Sequence, residues 1–535
     1  MKPIRGVILA SVSVLALSQS LSVAADGIVQ PIDFAHNVTG APAPVPGAVF
    51  GTGTAVAIGT AICTTAAQGA NANTDCEPSV GPHNETSIAV NPTNAQNMIG
   101  GANDYQLALN SGGHVSETIL SRAHVTFDGG THWSMYPLNA TSTYQATGDP
   151  AVAFDASGHA YYATLGFRFV GPGNAQSPDV LVSNSGDGGK TWSTARIAQG
   201  SGVFTSVGDV LDKEYIAAWG NGNAIVTYGD FRQGRKGSFV SARIYSSVTH
   251  DGGTTWSTPA VISGSLLFAF VSTPVVAADG KIFVSFLNTT DLATGRDDYE
   301  VVEVNPATGA AAGLPIKVAT TIDGATDYPI AFFRQTYQDS LFRTWAAGNI
   351  TADPRPSHAG HLAVVWSDMR NSTTPAPSDP YSATTNSDVI VSQSFNSGAT
   401  WSAPTSIALA GDQFMPWGAY DSTGRLRIGT FDRSGDASNH TYNYSLATEI
   451  TAGSLTFTTS AVSNVASDPT KNDRWFSSVT TNAAFPHPTT FLGDYSNIAA
   501  TADGGVVAYW TDMRNSVSFA GRTGSGEDAY FAKSS

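Results

Sequence analysis

Carboxylates and arginines recur at corresponding places along this chain. They are the side chains with which a protein does acid–base or nucleophilic work on a polar substrate. Glu85, Asp149, Asp212, Glu214, Asp327 and Asp494 each lie at or just ahead of a short alternating apolar run, as do Trp417 and Tyr495. Two carboxyl groups held about 5–10 Å apart can act as acid and as nucleophile or base on a glycosidic bond. A Tyr beside a carboxylate, as in Asp494-Tyr495, can serve as a nucleophile. Glu214, Asp149, Asp494 and Tyr495 are therefore the candidate catalytic residues. Glu is scarce, with eight in the chain, and Glu85 and Glu214 both fall at these positions.

Arginine closes five of the apolar runs that follow, at Arg168, Arg232, Arg370, Arg433 and Arg514. Two roles fit. An Asp–Arg pair can be a staple repeated from unit to unit. Alternatively, several guanidinium groups converge on an anionic ligand, where bidentate geometry favours Arg over Lys. Arg232, Arg343, Arg370, Arg433 and Arg514 are the candidate substrate-binding residues, with Trp417 and Tyr328 as stacking platforms for sugar rings; Trp417 fits a core position equally well.

Metal patterns are weak. The eleven His are scattered without an HExxH spacing, and His358 and His361 sit in a Ser/Gly context that reads as a loop. Zinc is not expected and no cofactor is assigned. Structural calcium stays open, since Asp297-Asp298 and Glu527-Asp528 are the adjacent acidic pairs and neither fits an EF-hand. No Gly-rich phosphate loop or dinucleotide fingerprint is present.

A repeat must position these residues. Thr126-Phe-Asp-Gly-Gly-Thr-His-Trp133, Ser185-Gly-Asp-Gly-Gly-Lys-Thr-Trp192 and Thr249-His-Asp-Gly-Gly-Thr-Thr-Trp256 share one pattern, and Ser394-Phe-Asn-Ser-Gly-Ala-Thr-Trp401 is a degenerate copy. The Trp-to-Trp intervals are 59, 64 and 145 residues, the last spanning a unit without the motif. Asp-Gly-Gly between apolar runs reads as a hairpin turn, with Gly at positive φ and the Asp carboxylate accepting backbone N–H groups. These are structural staples. Seven alternating strand starts follow one another: Thr86–Val90, Ala151–Phe154, Tyr215–Ala218, Pro274–Ala277, a weaker one at Phe342–Trp345, Trp417–Tyr420 and Tyr495–Ala500. Short strands at this spacing, with a Trp and Gly per unit, fit a single all-β propeller of four-stranded antiparallel blades. Seven blades are favoured and six also fit. The propeller spans 81–535, with a ring-closing strand expected within 46–58.

Composition agrees. The chain has 535 residues, 13% of them charged, and a formal net charge of -16. Few charges argue against long surface helices, and the acidic balance argues against a nucleic-acid binder. Lys2 and Arg5, the apolar run from Gly6 to Leu17 and the small residues near Ala24 and Ala25 read as an export signal over 1–25, too short to be a membrane span. Residues 26–80 form a lead-in, Pro-rich at first. Cys63 and Cys76, the two cysteines, are expected to pair in an exported protein. Closing a loop of that size stabilises by roughly 3 kcal/mol. Periplasm and medium are not distinguished. A closed ring needs no partner, so a monomer is expected.

The Asp-Gly-Gly-x-Thr-Trp turns resemble the Asp-box, or BNR, repeats of the sialidase-like superfamily, over about 80–535. Asp412-Gln-Phe-Met-Pro-Trp417 and Phe491-Leu-Gly-Asp-Tyr495 also resemble secreted bacterial members. The resemblance implies the propeller scaffold and an activity on glycans. Exo-sialidases carry an Arg-Ile-Pro motif, which this chain lacks; Arg343 in Leu-Phe-Arg-Thr-Trp is the nearest counterpart. The reading that follows is a secreted glycosidase acting on an acidic glycan. A non-catalytic carbohydrate- or protein-binding propeller of the cell envelope is the alternative, and a polysaccharide lyase stands third.

Overall fold

A computed structural model describes residues 62–534, apart from 77–79, 110–114, 141–142, 169–175, 203–207, 235–238, 292–295, 324–327, 329, 332–333, 339–341, 373–383, 472–478 and 483–484. The expected export signal and the stretch 46–58 lie outside the described residues, as does Asp327.

Seven four-stranded antiparallel blades form a β-propeller. The innermost strands are Val80–Val90, Ala146–Phe154, Gly208–Trp219, Ala269–Val276, Gly348–Ala352, Gln413–Tyr420 and Asn497–Ala500, for blades 1 to 7 in order. The expected fifth start at Phe342–Trp345 falls just upstream of its strand. Those residues form one isolated bridge, Arg343 with Thr336, and no ladder, while Arg343 bonds Asp494 and Trp345 lies beside Lys213. The interval without a Trp turn is blade 4, where a turn led by Asn305 replaces it.

Ring closure comes from Asn71–Asn73, which pairs with Asp528–Ser534 as the outer strand of blade 7. It lies nearer the first blade than the expected 46–58. Ala72 anchors it in a core with Trp133, Val507 and Phe531. Cys63 and Cys76 are disulfide-bonded and bracket this strand. Cys63–Thr64 pairs with blade 1 at Met135 and Ser134, so the closed loop straddles the seam between blades 1 and 7. Segments from near both ends of the described residues thus hold this seam.

The Asp-Gly-Gly turns join the third and fourth strands. Asp128 Oδ1 accepts the N–H groups of Thr131 and His132, each at 3.0 Å. Asp187 and Asp251 repeat the arrangement with Thr191 and Thr255. Gly130 and Gly189 have φ of 96° and 100°, which only Gly adopts without strain. Trp192 and Trp256 each donate Nε1–H to the second Gly carbonyl of their own turn, and Trp401 donates to the carbonyl of Gly398, the one Gly of its turn. In blade 3, Thr249 pairs with Ala224 and Gln233 with Gly208, so the turn and the start of the inner strand lie at opposite ends of the blade.

Candidate functional site

Five inner strands slip register at one corresponding place: between Asn84 and Ser87, Gly148 and Ala151, Asp212 and Tyr215, Phe270 and Thr273, and Phe414 and Trp417. Each slip is a bulge whose extra residue takes positive φ: Glu85 at 54°, Asp149 at 55°, Lys213 at 56°, Val271 at 51° and Met415 at 49°. Non-glycine residues avoid this region, and bulges re-aim side chains. Here they bring three charged side chains from adjacent blades together.

Lys213 is the hub. Its Nζ lies 3.1 Å from Glu85 Oε1, 2.9 Å from Asp149 Oδ2 and 2.5 Å from Asp494 Oδ2. Arg343 grips Asp494 from the other side, with Nε 2.7 Å from Oδ1 and Nη2 bonded to Oδ2. Asn103 braces the group, donating to Glu85 Oε2 at 3.0 Å and accepting the Asp149 N–H at 2.7 Å. Gly493 permits the close approach of blades 7 and 1, since a Cβ there would meet the Glu85 nitrogen at 2.5 Å.

All these groups are buried, and their protonation diverges. Burial would raise the Asp494 carboxyl, but Arg343 and Lys213 outweigh it and hold it below its usual range. Glu85 is pushed well above, by burial and then by Asp149. Asp212 rises to about 7 because burial exceeds the opposing pull of Lys213. Burial opposes the charge on Lys213, yet Asp149, Asp494 and Glu85 drive its pKa well up. Glu214 is raised by burial and by Asp149, and neither of its oxygens has a hydrogen-bond partner from another described residue. With five carboxyl groups against two cations, the cluster holds protons at neutral pH.

A pocket opens over this cluster. Its wall includes Lys213, Asp494, Tyr495, Tyr215, Trp345 and Trp417. Tyr215 stacks on Trp417 at 5.2 Å and meets Tyr495 edge-on at 5.2 Å. Lys213 Nζ stands 5.5 Å from the Trp345 ring centre. Tyr495 donates its hydroxyl to the Pro150 carbonyl at 3.1 Å, and burial followed by Glu85 pushes its phenol well up.

Of the residues expected at the site, Asp149, Asp494 and Arg343 meet through Lys213, and Tyr495 and Trp417 share the pocket wall. Glu214 is sealed beneath. The other arginines stand in separate pairs. Arg370 and Arg514 each clamp the Asp two residues earlier at 2.6 Å, and that Asp also accepts the indole N–H of Trp366 or Trp510. Arg433 is buried against Asp412 at 3.0 Å and donates to the His440 carbonyl. Arg232 is largely exposed, 3.5 Å from Asp209. Tyr328 is fully buried beside Tyr337. Lys213 was not singled out from sequence. Its signal was spacing, since Glu85, Asp149 and Lys213 follow at equal intervals of 64 residues.

No protein-family model matches the chain, and no curated protein does. Among solved structures the chain is similar to a Hadza microbial sialidase at 10% identity, covering 89% of this chain and 96% of that one with a TM-score of 0.42. It is similar to the NanB sialidase of Streptococcus pneumoniae at 8% identity, covering 82% and 83% with a TM-score of 0.43. It is also similar to an ulvan lyase at 11% identity, covering 63% and 73% with a TM-score of 0.38.

Proposed function

We propose that this chain is a secreted glycan-active propeller that hydrolyses a glycosidic bond in the pocket over Lys213. The observation that carries this is the pocket wall itself. It sets an aromatic pair, Tyr215 and Trp417, beside an ionised carboxylate, Asp494, with protonated carboxyl groups a few ångströms behind. Sugar rings stack on aromatic faces through their C–H surfaces. Carboxyl groups whose environments drive their protonation apart are the pattern of an acid paired with a base or nucleophile. Asp494 is the anionic partner in this reading. The indole N–H of Trp345 is buried and has no partner among the described residues. Tyr495 is held protonated and tethered to Pro150, which fits a wall residue better than a nucleophile. Lys213 and Arg343 are already matched by carboxylates, so the site suits hydroxyl-bearing sugars more than an anionic ring.

The test is a cleavage screen of neutral glycans, sialosides and uronate polymers, read by mass spectrometry, with the Asp494→Asn and Trp417→Ala proteins alongside. Hydrolysis of one class, slowed about 10²–10⁴-fold in Asp494→Asn, is expected. Trp417→Ala should chiefly raise KM. An unsaturated product would replace hydrolysis with elimination. Glycan binding without any cleavage would overturn the enzyme reading in favour of a binding propeller, which the tight Arg343–Asp494 clamp also accommodates.

A further inference from the structure

A second buried polar cluster lies away from the channel pocket, at the seam where blade 7 meets blade 1. His83 lies on the inner strand of blade 1, Asp104 on its second strand and His124 on its third. All three are fully buried, and one ligand atom from each falls within 4.8 Å of the others.

Their hydrogen bonds single out the ligand atoms. Thr74 Oγ1 lies 2.8 Å from His124 Nδ1 and 2.7 Å from the Tyr509 hydroxyl, which is itself 3.1 Å from Nδ1, and the Thr74 hydroxyl also reaches the Ala529 carbonyl at 3.1 Å. Nδ1 is thus engaged on the Thr74–Tyr509 side, which leaves Nε2 as the available ligand atom. That Nε2 has no hydrogen-bond partner. Arg122 occupies Asp104 Oδ2 at 2.7 Å, while Oδ1 has no hydrogen bond and faces His83 Nε2 at 3.3 Å. Asp75 and Asp528 each bring a carboxylate oxygen within 4.8 Å of a His83 ring nitrogen. A carboxylate behind a ligating imidazole is how metal sites set the tautomer and raise ligand basicity.

We propose that His83 Nε2, Asp104 Oδ1 and His124 Nε2 bind one divalent transition-metal ion of the zinc class, which pins the ring closure. Two imidazole nitrogens and a carboxylate oxygen are a donor set that such ions favour. The carboxylates of Asp75 and Asp528 balance its charge against Arg122. The cluster joins the segment after the closing strand (Thr74 and Asp75), blade 1 and the last strand (Asp528), so the ion locks the same seam as the disulfide.

The test uses the full chain, purified without chelator, stripped, and titrated with zinc and then with cobalt(II). One equivalent of zinc per chain is expected, with cobalt absorption bands of a nitrogen–oxygen site and a melting temperature that falls on chelation. His124→Gln and Asp104→Asn should lose the metal and the bands, while His440→Gln keeps both. If either variant fails to fold, the wild-type cobalt titration still decides. Well under one equivalent in folded protein, or full metal retention by folded His124→Gln, would overturn the proposal.

Discussion

The Asp-Gly-Gly turns and the channel cluster use the same kind of side chain, a carboxylate, to opposite ends. In the turns, Asp128, Asp187 and Asp251 are largely solvated, and each accepts backbone N–H groups of its own loop. The Asp128 carboxyl falls to about 2, because the His132 hydrogen bonds outweigh slight desolvation. In the channel, Glu85, Asp212 and Glu214 are buried and driven up. The turns bond locally and repeat. The channel assembles residues from different blades on a bulge that repeats, while the side chain carried there changes from blade to blade. A repeated residue thus marks scaffold, and a changed residue at a repeated position marks the candidate site.

The most severe way to break this contrast is Lys213→Met. It strands several buried carboxyl groups without a counter-charge, which costs about 3–5 kcal/mol. The loss should be larger at pH 8 than at pH 5, where Glu85 and Asp212 carry protons. Urea titrations at both pH values check it. Gly493→Ala comes next, since a methyl group at φ 92° collides with Glu85. More than 1 kcal/mol should be lost, with pocket activity falling further than stability. Asp187→Ala removes a turn anchor only and should cost about 1 kcal/mol with no change in glycan affinity. If Asp187→Ala proved as damaging as Lys213→Met, the division between scaffold and site would fail.

The smallest effect is the most diagnostic. Asp212 has a folded pKa of about 7, above its unfolded value, so its contribution is complete in acid and is lost as pH climbs through 7. Asp128 has a folded pKa below its unfolded value, so its contribution is present at neutral pH and is lost as pH falls from about 4 towards 2. Melting temperature against pH should therefore decline on both sides. Asp212→Asn should flatten the alkaline limb alone, and Asp128→Asn the acid limb alone.

How much was legible follows from range. The turns were readable because Thr126, Asp128, Gly130 and Trp133 act within eight consecutive residues. Six strand starts were readable because alternation is local, and the weak fifth misled because its residues form one isolated bridge and side-chain contacts in place of a ladder. Asp494 lines the pocket and Asp149 meets it through Lys213, yet nothing in either segment named Lys213 as the group between them. The other arginines looked alike in sequence, and only their partners separated Arg343 from the staples at Arg370 and Arg514.

By itself the sequence determined the all-β class, a propeller of seven or six blades and the outer turns, because short-range φ preferences and alternation set each of them; the pairing of Cys63 with Cys76 followed from their being the two cysteines of a chain read as exported. Tertiary structure alone decided which side chains share the channel, which carboxyl groups keep their protons, and how His83, Asp104 and His124 meet at the seam. Closing a ring places residues tens or hundreds apart within a few ångströms, and burial there, more than residue type, sets their charge.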